Sequence, residues 1–252
     1  MSTRPAPRTL TILATRRLSP SMVRVTLGGE GLDGFPPGFA GGYVKLMLAP
    51  PSAASKAVIR TYTIRHQRAD AIDLDFALHG GEAAGPATKW ALDARPGDTI
   101  VVGGPGLPKP LPRQRDFYLI AGDMTALPAI SVNLAALPAD ARGFAAIEIQ
   151  DEADRPDLVV PEGVHVEWLV NPEPGLRPEL LVDALRSARR PEGALAGWAA
   201  CEFSSMRALR DYLRDELGLG PADLYISSYW KHGLVEDEHK LVKRQDAEAQ
   251  PA

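Results

Sequence analysis

The stretch VIRTYTIRHQR, residues 58–68, sets three arginines, a histidine and a tyrosine in a segment with the texture of a β-strand. Read with period two, Val58, Arg60, Tyr62 and Ile64 share one face, and Ile59, Thr61, Thr63 and Arg65 share the other. Neither face is purely apolar. An arginine in such a strand must be paired or must meet an anion, because an isolated buried charge costs several kcal/mol or more. Two readings follow from the segment alone. Either its guanidinium groups are solvated on a surface-facing strand, or they form a site for a phosphate-bearing ligand with a ring lying against Tyr62.

The neighbouring segments extend the strand reading in both directions. TLTILAT (9–15), MVRVTLGG (22–29), YVKLML (43–48), IDLDFALHG (72–80) and DTIVVGG (98–104) are short, alternating and separated by Gly, Pro and Asp. Regularly spaced strands with turn signals and no long helix predict an all-β barrel or sandwich. In IDLDFALHG, Ile72, Leu74, Phe76 and Leu78 fall on one face. The proline-rich GGPGLPKPLPRQRD (103–116) then reads as an extended linker.

Beyond the linker, strand and helix alternate. DFYLIA, GFAAIEI, VHVEWLV, LAGWAA and DLYISSYW read as strands; TALPAISVNLAAL, PELLVDALRSARR and SSMRALRDYLRDELG read as helices. Met206, Leu209, Leu213 and Leu217 lie near one face of the last helix, and Gly218 stops it. This alternation predicts a parallel sheet covered on both faces. The charged segment after Trp230 has little apolar content and is expected to be a docked or loose tail. The expected domains are 1–112, 113–236 and a tail at 237–252.

Composition restricts the chemistry. The 252 residues are 45% hydrophobic and 24% charged with a net charge of -4, as expected for one large or two ordinary soluble domains. A single cysteine, Cys201, excludes an internal disulfide, a multi-cysteine zinc site and a four-cysteine iron–sulfur cluster. Mild acidity argues against nonspecific nucleic-acid binding, and no apolar run reaches the roughly 20 residues of a membrane span, so a cytoplasmic location is expected. His232 and His239 lack a compact set of fellow ligands and read as surface histidines rather than a metal site.

Two turns could receive a nucleotide. In FYLIAGDMTALPAI (117–130), an apolar strand runs into Gly122, and Thr125 is placed to cap a helix whose first turn tolerates Pro128. Such a turn aims free amides at a phosphate or ribose. In LHGGEAAGPATKWA (78–91), Gly80, Gly81 and Gly85 permit close backbone approach, and Thr88 can offer a hydroxyl at the start of a short helix.

Taken in order, RTYTIR, HG followed by GPATKWA, AGDMTALPAI, WAACE and YWKHG closely resemble the siderophore-interacting protein family, over residues 9–233. The resemblance implies an N-terminal six-stranded antiparallel β-barrel holding FAD and a C-terminal α/β domain presenting NAD(P)H. The implied activity is FAD-dependent reduction of a bound ferric siderophore so that iron is released. It further implies that Arg60 reaches the FAD pyrophosphate, Tyr62 packs on the isoalloxazine and Thr63 bonds near its reactive edge. Thr61 and Arg65 of the same strand, with His79, Gly80, Gly85, Pro86, Ala87, Thr88 and Trp90, complete the implied FAD set. For NAD(P)H the resemblance implies Gly122, Asp123, Thr125, Ala126, Leu127, Pro128 and Glu202. Lys45, Lys231, Lys240 and Lys243 would form a basic patch for an anionic ferric siderophore. The chain departs from the family pattern at Met124, where an acid is usual, and at Cys201, where glycine is usual. Both departures fall on the nicotinamide side, so a ferredoxin is the alternative electron donor. Cys201 reads as a small buried strand-end residue in preference to a reactive thiol. The competing functions are a general NAD(P)H:flavin or ferredoxin-type reductase and a non-enzymatic flavin or siderophore carrier. A monomer is expected.

Overall fold

The computed structural model describes residues 6–49, 57–78, 84–234 and 236–248. The chain divides into two units, Met1–Pro110 and Leu111–Ala252.

In the first unit, β1 (Arg8–Ser19), β2 (Met22–Gly28), β3 (Tyr43–Ala49), β4 (Val58–Gln67), β5 (Ala71–Ala77) and β6 (Thr99–Gly106) form a closed antiparallel barrel in the order β1-β2-β5-β4-β3-β6. Closure comes from β6 returning to β1, with Leu10 opposite Ile100 and Arg8 opposite Val102. It leaves no free sheet edge. The alternation read from the sequence fills the interior: Leu10, Ile12, Val25, Leu27, Val44, Leu46, Ile64, Ile72, Leu74 and Phe76 are all buried. The short helix α1 (Pro86–Asp93) packs against β2, β3 and β5 and buries Ala87, Thr88 and Ala91.

The outer face of β5 is buried too, which its alternation did not announce. Asp73 and Asp75 are 4% and 8% exposed. Their cross-strand partners on β2 are Thr26 and Arg24. Arg24 grips Asp75 with two hydrogen bonds, Nε to Oδ1 at 2.6 Å and Nη2 to Oδ2 at 2.7 Å. Arg68 does the same to Asp73 at 2.8 Å for both bonds, and Thr26 Oγ1 donates to Asp73 at 2.8 Å. His66 Nδ1 lies 3.1 Å from the same carboxylate. Burial alone would push the Asp73 pKa up, but hydrogen bonds from Arg68, Thr26 and His66 and the charge of Arg68 hold it far below the usual carboxylate range.

A bulge in β4 completes this cluster. Ile64 pairs with Leu74 and His66 with Asp73, so one extra residue, Arg65, is inserted opposite β5. Arg65 is half-buried, and its electrostatic neighbours are Asp75, Arg24 and Asp73. The three arginines of the opening stretch therefore divide: Arg65 and Arg68 join a buried ionic cluster, and Arg60 lies elsewhere on the strand.

The second unit is a five-stranded parallel sheet in the order β11-β10-β7-β8-β9, formed by β7 (Phe117–Gly122), β8 (Gly143–Ile149), β9 (Val164–Val170), β10 (Leu195–Glu202) and β11 (Leu224–Trp230). All six residues of β7 and all seven of β8 are buried, as a sheet with two covered faces requires. Helices α3 (Leu180–Ser187) and α4 (Phe203–Arg210) pack on the face carrying Phe117, Leu119 and Ala121. Helix α2 (Leu127–Ala136) covers the other, where Ile130 approaches Gly122.

The helix expected over 204–218 changes pitch midway. After α4 the chain continues as a π-helical turn, Asp211–Glu216, with Leu217 N bonded to Tyr212 O at 3.0 Å. The wider turn buries both Tyr212 and Leu213, and Gly218, at φ +70°, ends it.

The charged tail is docked as α5 (Glu236–Glu248). His239 Nε2 lies 2.9 Å from Ser228 Oγ, Lys243 Nζ donates to Ser227 Oγ at 2.7 Å, and Asp246 accepts from Arg210 at 3.1 Å. The expectation of a surface histidine fails at His239, which is 5% exposed because its ring packs between Ser228 and Phe203. Burial and the nearby Lys243 hold its pKa down at about 4. The undocked histidine takes up a proton first, so docking is at full strength above about pH 6.5 and weakens as pH falls towards 4, by on the order of 3 kcal/mol at most. Amide exchange in residues 236–248, corrected for intrinsic rates, should therefore be faster at pH 5 than at pH 7, while β7 is unchanged.

Candidate functional site

Strand β4 presents different chemistry on its two faces. Tyr62 pairs with Val44 and Arg60 with Leu46, which places both on the inward register. The Tyr62 ring rests on Phe76 with centroids 4.0 Å apart, and Phe76 in turn meets Trp90 of α1 at 5.5 Å. The result is a partly buried aromatic platform. Thr61 and Thr63 face outward beside Lys45 and Tyr43. Tyr43, which no motif singled out, is 39% exposed, and its ring lies across Gly106, where a Cβ would come within 2.1 Å of it. The alternation of YVKLML, which puts Tyr43 and Lys45 on one face, was the available signal. Arg65 is not brought to this group, because the bulge commits it to the Asp73–Asp75 cluster.

Helix α1 begins at Pro86 with Gly85 as its capping residue and no side-chain cap. Glycine supplies no oxygen for the first-turn amides, so Ala87 and Thr88 can offer theirs to an external acceptor. Thr88 is itself 5% exposed. His79 and Gly80 lie outside the described residues.

In the α/β unit, the strand order changes direction between β7 and β10, the usual ligand crevice of an open sheet. The carboxyl ends of these two strands bring Asp123 and Glu202 together, each almost fully buried. Asp123 accepts from Thr125 N at 2.9 Å, Thr125 Oγ1 at 2.5 Å, Glu202 N at 2.9 Å and Trp230 Nε1 at 2.7 Å. Burial pushes its pKa up, and these donors oppose the shift. Glu202 caps α4 through Ser204 N and Ser205 N and accepts His232 N at 3.1 Å. On β8, burial and the neighbouring Asp123 raise Glu148 to about 7, against one hydrogen bond from Asn171 at 2.8 Å.

Two sequence expectations change here. Thr125 does not cap α2; Ala126 occupies that position without a side-chain bond. The buried Asp123 carboxylate is the stronger acceptor and draws in both the amide and the hydroxyl of Thr125, while its main-chain oxygen takes the amides of Ala126 and Leu127. Those amides are therefore not free for a phosphate. Gly122 is required by packing, since a Cβ there would lie 2.6 Å from Ala200 O and 2.8 Å from Ile130 Cδ1. Leu127 and Pro128 are likewise buried. At the two unusual positions, Met124 is buried and its sulfur accepts from Gln150 Nε2 at 3.6 Å, and Cys201 is fully buried. Burial, with Asp123, Glu148 and Glu202 nearby, pushes the Cys201 thiol far up, so it is not a nucleophile.

A family model for the siderophore-interacting FAD-binding domain matches residues 11–58 and 51–109, and one for the siderophore-interacting protein matches residues 115–233. The chain is 34% identical to the ferric vibriobactin reductase ViuB of Vibrio cholerae, covering 92% of both. It belongs to the siderophore-interacting protein family. The crystal structure of the siderophore-interacting protein SipS from Aeromonas hydrophila superposes with a TM-score of 0.84 at 33% identity, over 96% of this chain and 98% of that one. The NADPH-dependent ferric-chelate reductase of Escherichia coli is 30% identical over 66% of this chain and 72% of its own length.

The residues of this siderophore-interacting protein fit the flavin nucleotide that its barrel family binds. Arg60 offers a cation, Tyr62 a backed aromatic ring, Thr61 and Thr63 hydroxyls, and the start of α1 uncapped amides. Among the lysines expected in the basic patch, Lys45 and Lys240 are exposed, and Lys231 Nζ sits 4.4 Å from the Phe203 ring centroid. Lys243 has another role: its ammonium is held by Ser227 Oγ and by the Ser228 carbonyl at 2.9 Å, anchoring α5 to β11.

Proposed function

We propose that this chain reduces ferric siderophores through FAD and releases Fe(II), with NAD(P)H as the electron donor and a reduced ferredoxin as the alternative. The observation that carries the reading is the β4 platform, Tyr62 packed against Phe76 on the strand face that also carries Arg60, in a barrel that the siderophore-interacting FAD-binding domain matches from residue 11 to residue 109. A bound flavin supplies the conversion of a two-electron donor into single electrons for Fe(III). The chain's own residues bind and orient. Arg60 holds the pyrophosphate, with the Ala87 and Thr88 amides as further donors; Tyr62 seats the ring system; Thr63, the next residue along β4, bonds near its reactive edge through its main chain. Lys45 on the barrel unit and, separately, Lys231 and Lys240 on the α/β unit supply positive charge that attracts an anionic iron complex. No general acid or nucleophile is needed, which agrees with a buried, inert Cys201. No described helix is long and apolar enough to cross a membrane. A cytoplasmic monomer is the form in which we propose that it acts.

The test is an anaerobic assay with FAD-loaded protein, supplying NADH, NADPH or reduced ferredoxin against a panel of ferric siderophores with an Fe(II) chelator. Fe(II) should appear in many-fold excess over protein with at least one donor. Protein that stays colourless after addition of FAD would overturn the reading. Within this assay, Lys45→Glu and Lys231→Glu should each raise the KM for an anionic complex a few-fold at low salt. Coulomb attraction between exposed charges at contact is only about 1 kcal/mol in water and is screened over roughly 10 Å. The effect should fade in high salt and be smaller for a neutral complex.

A further inference from the structure

The carboxyl edge of the parallel sheet is covered from both sides. Strands β9 and β11 form opposite edges of the sheet, yet the loop after β9 reaches the end of β11. A Cβ on Gly175 would lie 2.9 Å from His232 Cβ and 3.0 Å from Trp230 Cη2. From the other side, Trp230 reaches back over β10 to Asp123 at the end of β7, donating its indole N–H at 2.7 Å. A bulge makes this reach possible: Cys201 pairs with Ser228 but Glu202 pairs with Trp230, so Tyr229 is an extra residue and the strand end is turned. The following amide, His232 N, is fixed to Glu202. Indole and loop thus meet above the switch point between β7 and β10, where an open α/β sheet receives a nucleotide. Gly175 has φ +87° and allows the loop to lie against the ring without a side chain between them.

We infer that Trp230 is the residue that determines how readily a nicotinamide nucleotide enters this crevice: its indole, latched to Asp123 and backed by the 171–177 loop, occupies the entrance and must swing away for the donor to bind. The inference rests on the α/β unit being the donor site. The alternative role for Trp230, a plain hydrophobic plug, does not require a donor bond to a buried carboxylate beside two others at the strand ends. Because the open form alone is competent, apparent affinity is reduced by the open fraction.

The experiment is calorimetric titration of FAD-loaded protein with NAD⁺ and with NADP⁺, which needs no turnover. Trp230→Phe keeps the ring and removes the N–H, and should bind nucleotide about tenfold more tightly than the wild type. Gly175→Ala, which pushes the loop off the indole, should shift affinity in the same direction. In the wild type, the Trp230 indole N–H resonance should move and exchange faster on saturation with nucleotide. If the wild type binds and both variants bind equally or more weakly, Trp230 is scaffold or a contact for the nucleotide, and the latch is wrong while the donor site stands. If none of the three proteins binds either nucleotide, the donor-site reading falls, and the latch with it.

Discussion

Asp73→Ala is expected to lower the apparent melting temperature of the barrel unit by roughly 10–20 °C, corresponding to on the order of 3 kcal/mol. The carboxylate accepts two hydrogen bonds from Arg68 and one from Thr26, lies 3.1 Å from His66 and 3.9 Å from Arg24, and is 4% exposed. Removing it leaves Arg24, whose side chain is 15% exposed, and half-buried Arg65 with Asp75 as the nearby carboxylate among the described residues. An uncompensated buried charge, more than the lost pair, causes the damage. Arg68→Ala should cost much less, because that side chain is 46% exposed and its charge is already partly solvated. The pH dependence has a definite sign. Asp73 has a folded pKa below its unfolded one, so its contribution is complete above about pH 4 and is lost only as pH falls further, towards the folded value. Thermal melts of the wild type and the two variants check this. A shift below 2 °C for Asp73→Ala would mean that the cluster is solvated and the burial argument wrong.

Arg60→Ala is expected to weaken FAD retention by about 10- to 100-fold while the barrel stays folded, the equivalent of one charge-assisted phosphate contact of roughly 1.5–3 kcal/mol. Arg60 stands two residues from Tyr62 on the same strand face, outside the Asp73–Asp75 cluster, so its loss leaves that cluster intact. Arg60→Lys should recover part of the affinity as a point charge, without bidentate geometry. Equilibrium dialysis against FAD, paired with a thermal melt of the apo form, separates the two effects. Unchanged affinity would remove Arg60 from the pyrophosphate site. Lower affinity accompanied by a lower apo melting temperature would instead assign it to the scaffold.

Much of the architecture was legible because periodicity is a one-dimensional signal. The strand pattern of IDLDFALHG correctly placed Ile72, Leu74 and Phe76 inside, and the unbroken apolar DFYLIA correctly marked a strand buried on both faces. The helix over 204–218 was legible as a buried stripe, but its π-helical second half was not, because a change of pitch keeps the same residues inside. For the candidate site, RTYTIR and GPATKWA pointed to β4 and to the start of α1. The assignments that failed were those that depended on partners distant in sequence. Thr125 is displaced as a cap by a carboxylate two residues earlier that burial makes dominant, and Lys243 is drawn to serines 15 and 16 residues away on another element.

The sequence by itself determined a strand-rich unit followed by alternating strands and helices, the proline-rich junction, and a set of motifs for a flavin and a nucleotide. The strand and helix spacing is local, and each segment carries it whatever the rest of the chain does; the flavin was what the resemblance to a known family implied. Only the tertiary structure decided which of the three arginines enter the ionic cluster beside β5. Arg68 is paired with Asp73 on β5, and a bulge sets half-buried Arg65 in the field of Asp75 and Asp73; neither is visible in the order of residues. Only tertiary structure, too, set Trp230 against Asp123, 107 residues apart, and laid Gly175 against Trp230 and His232. Electrostatic pairing and close approach depend on distances in space, and folding brings together charges and rings that the chain keeps far apart.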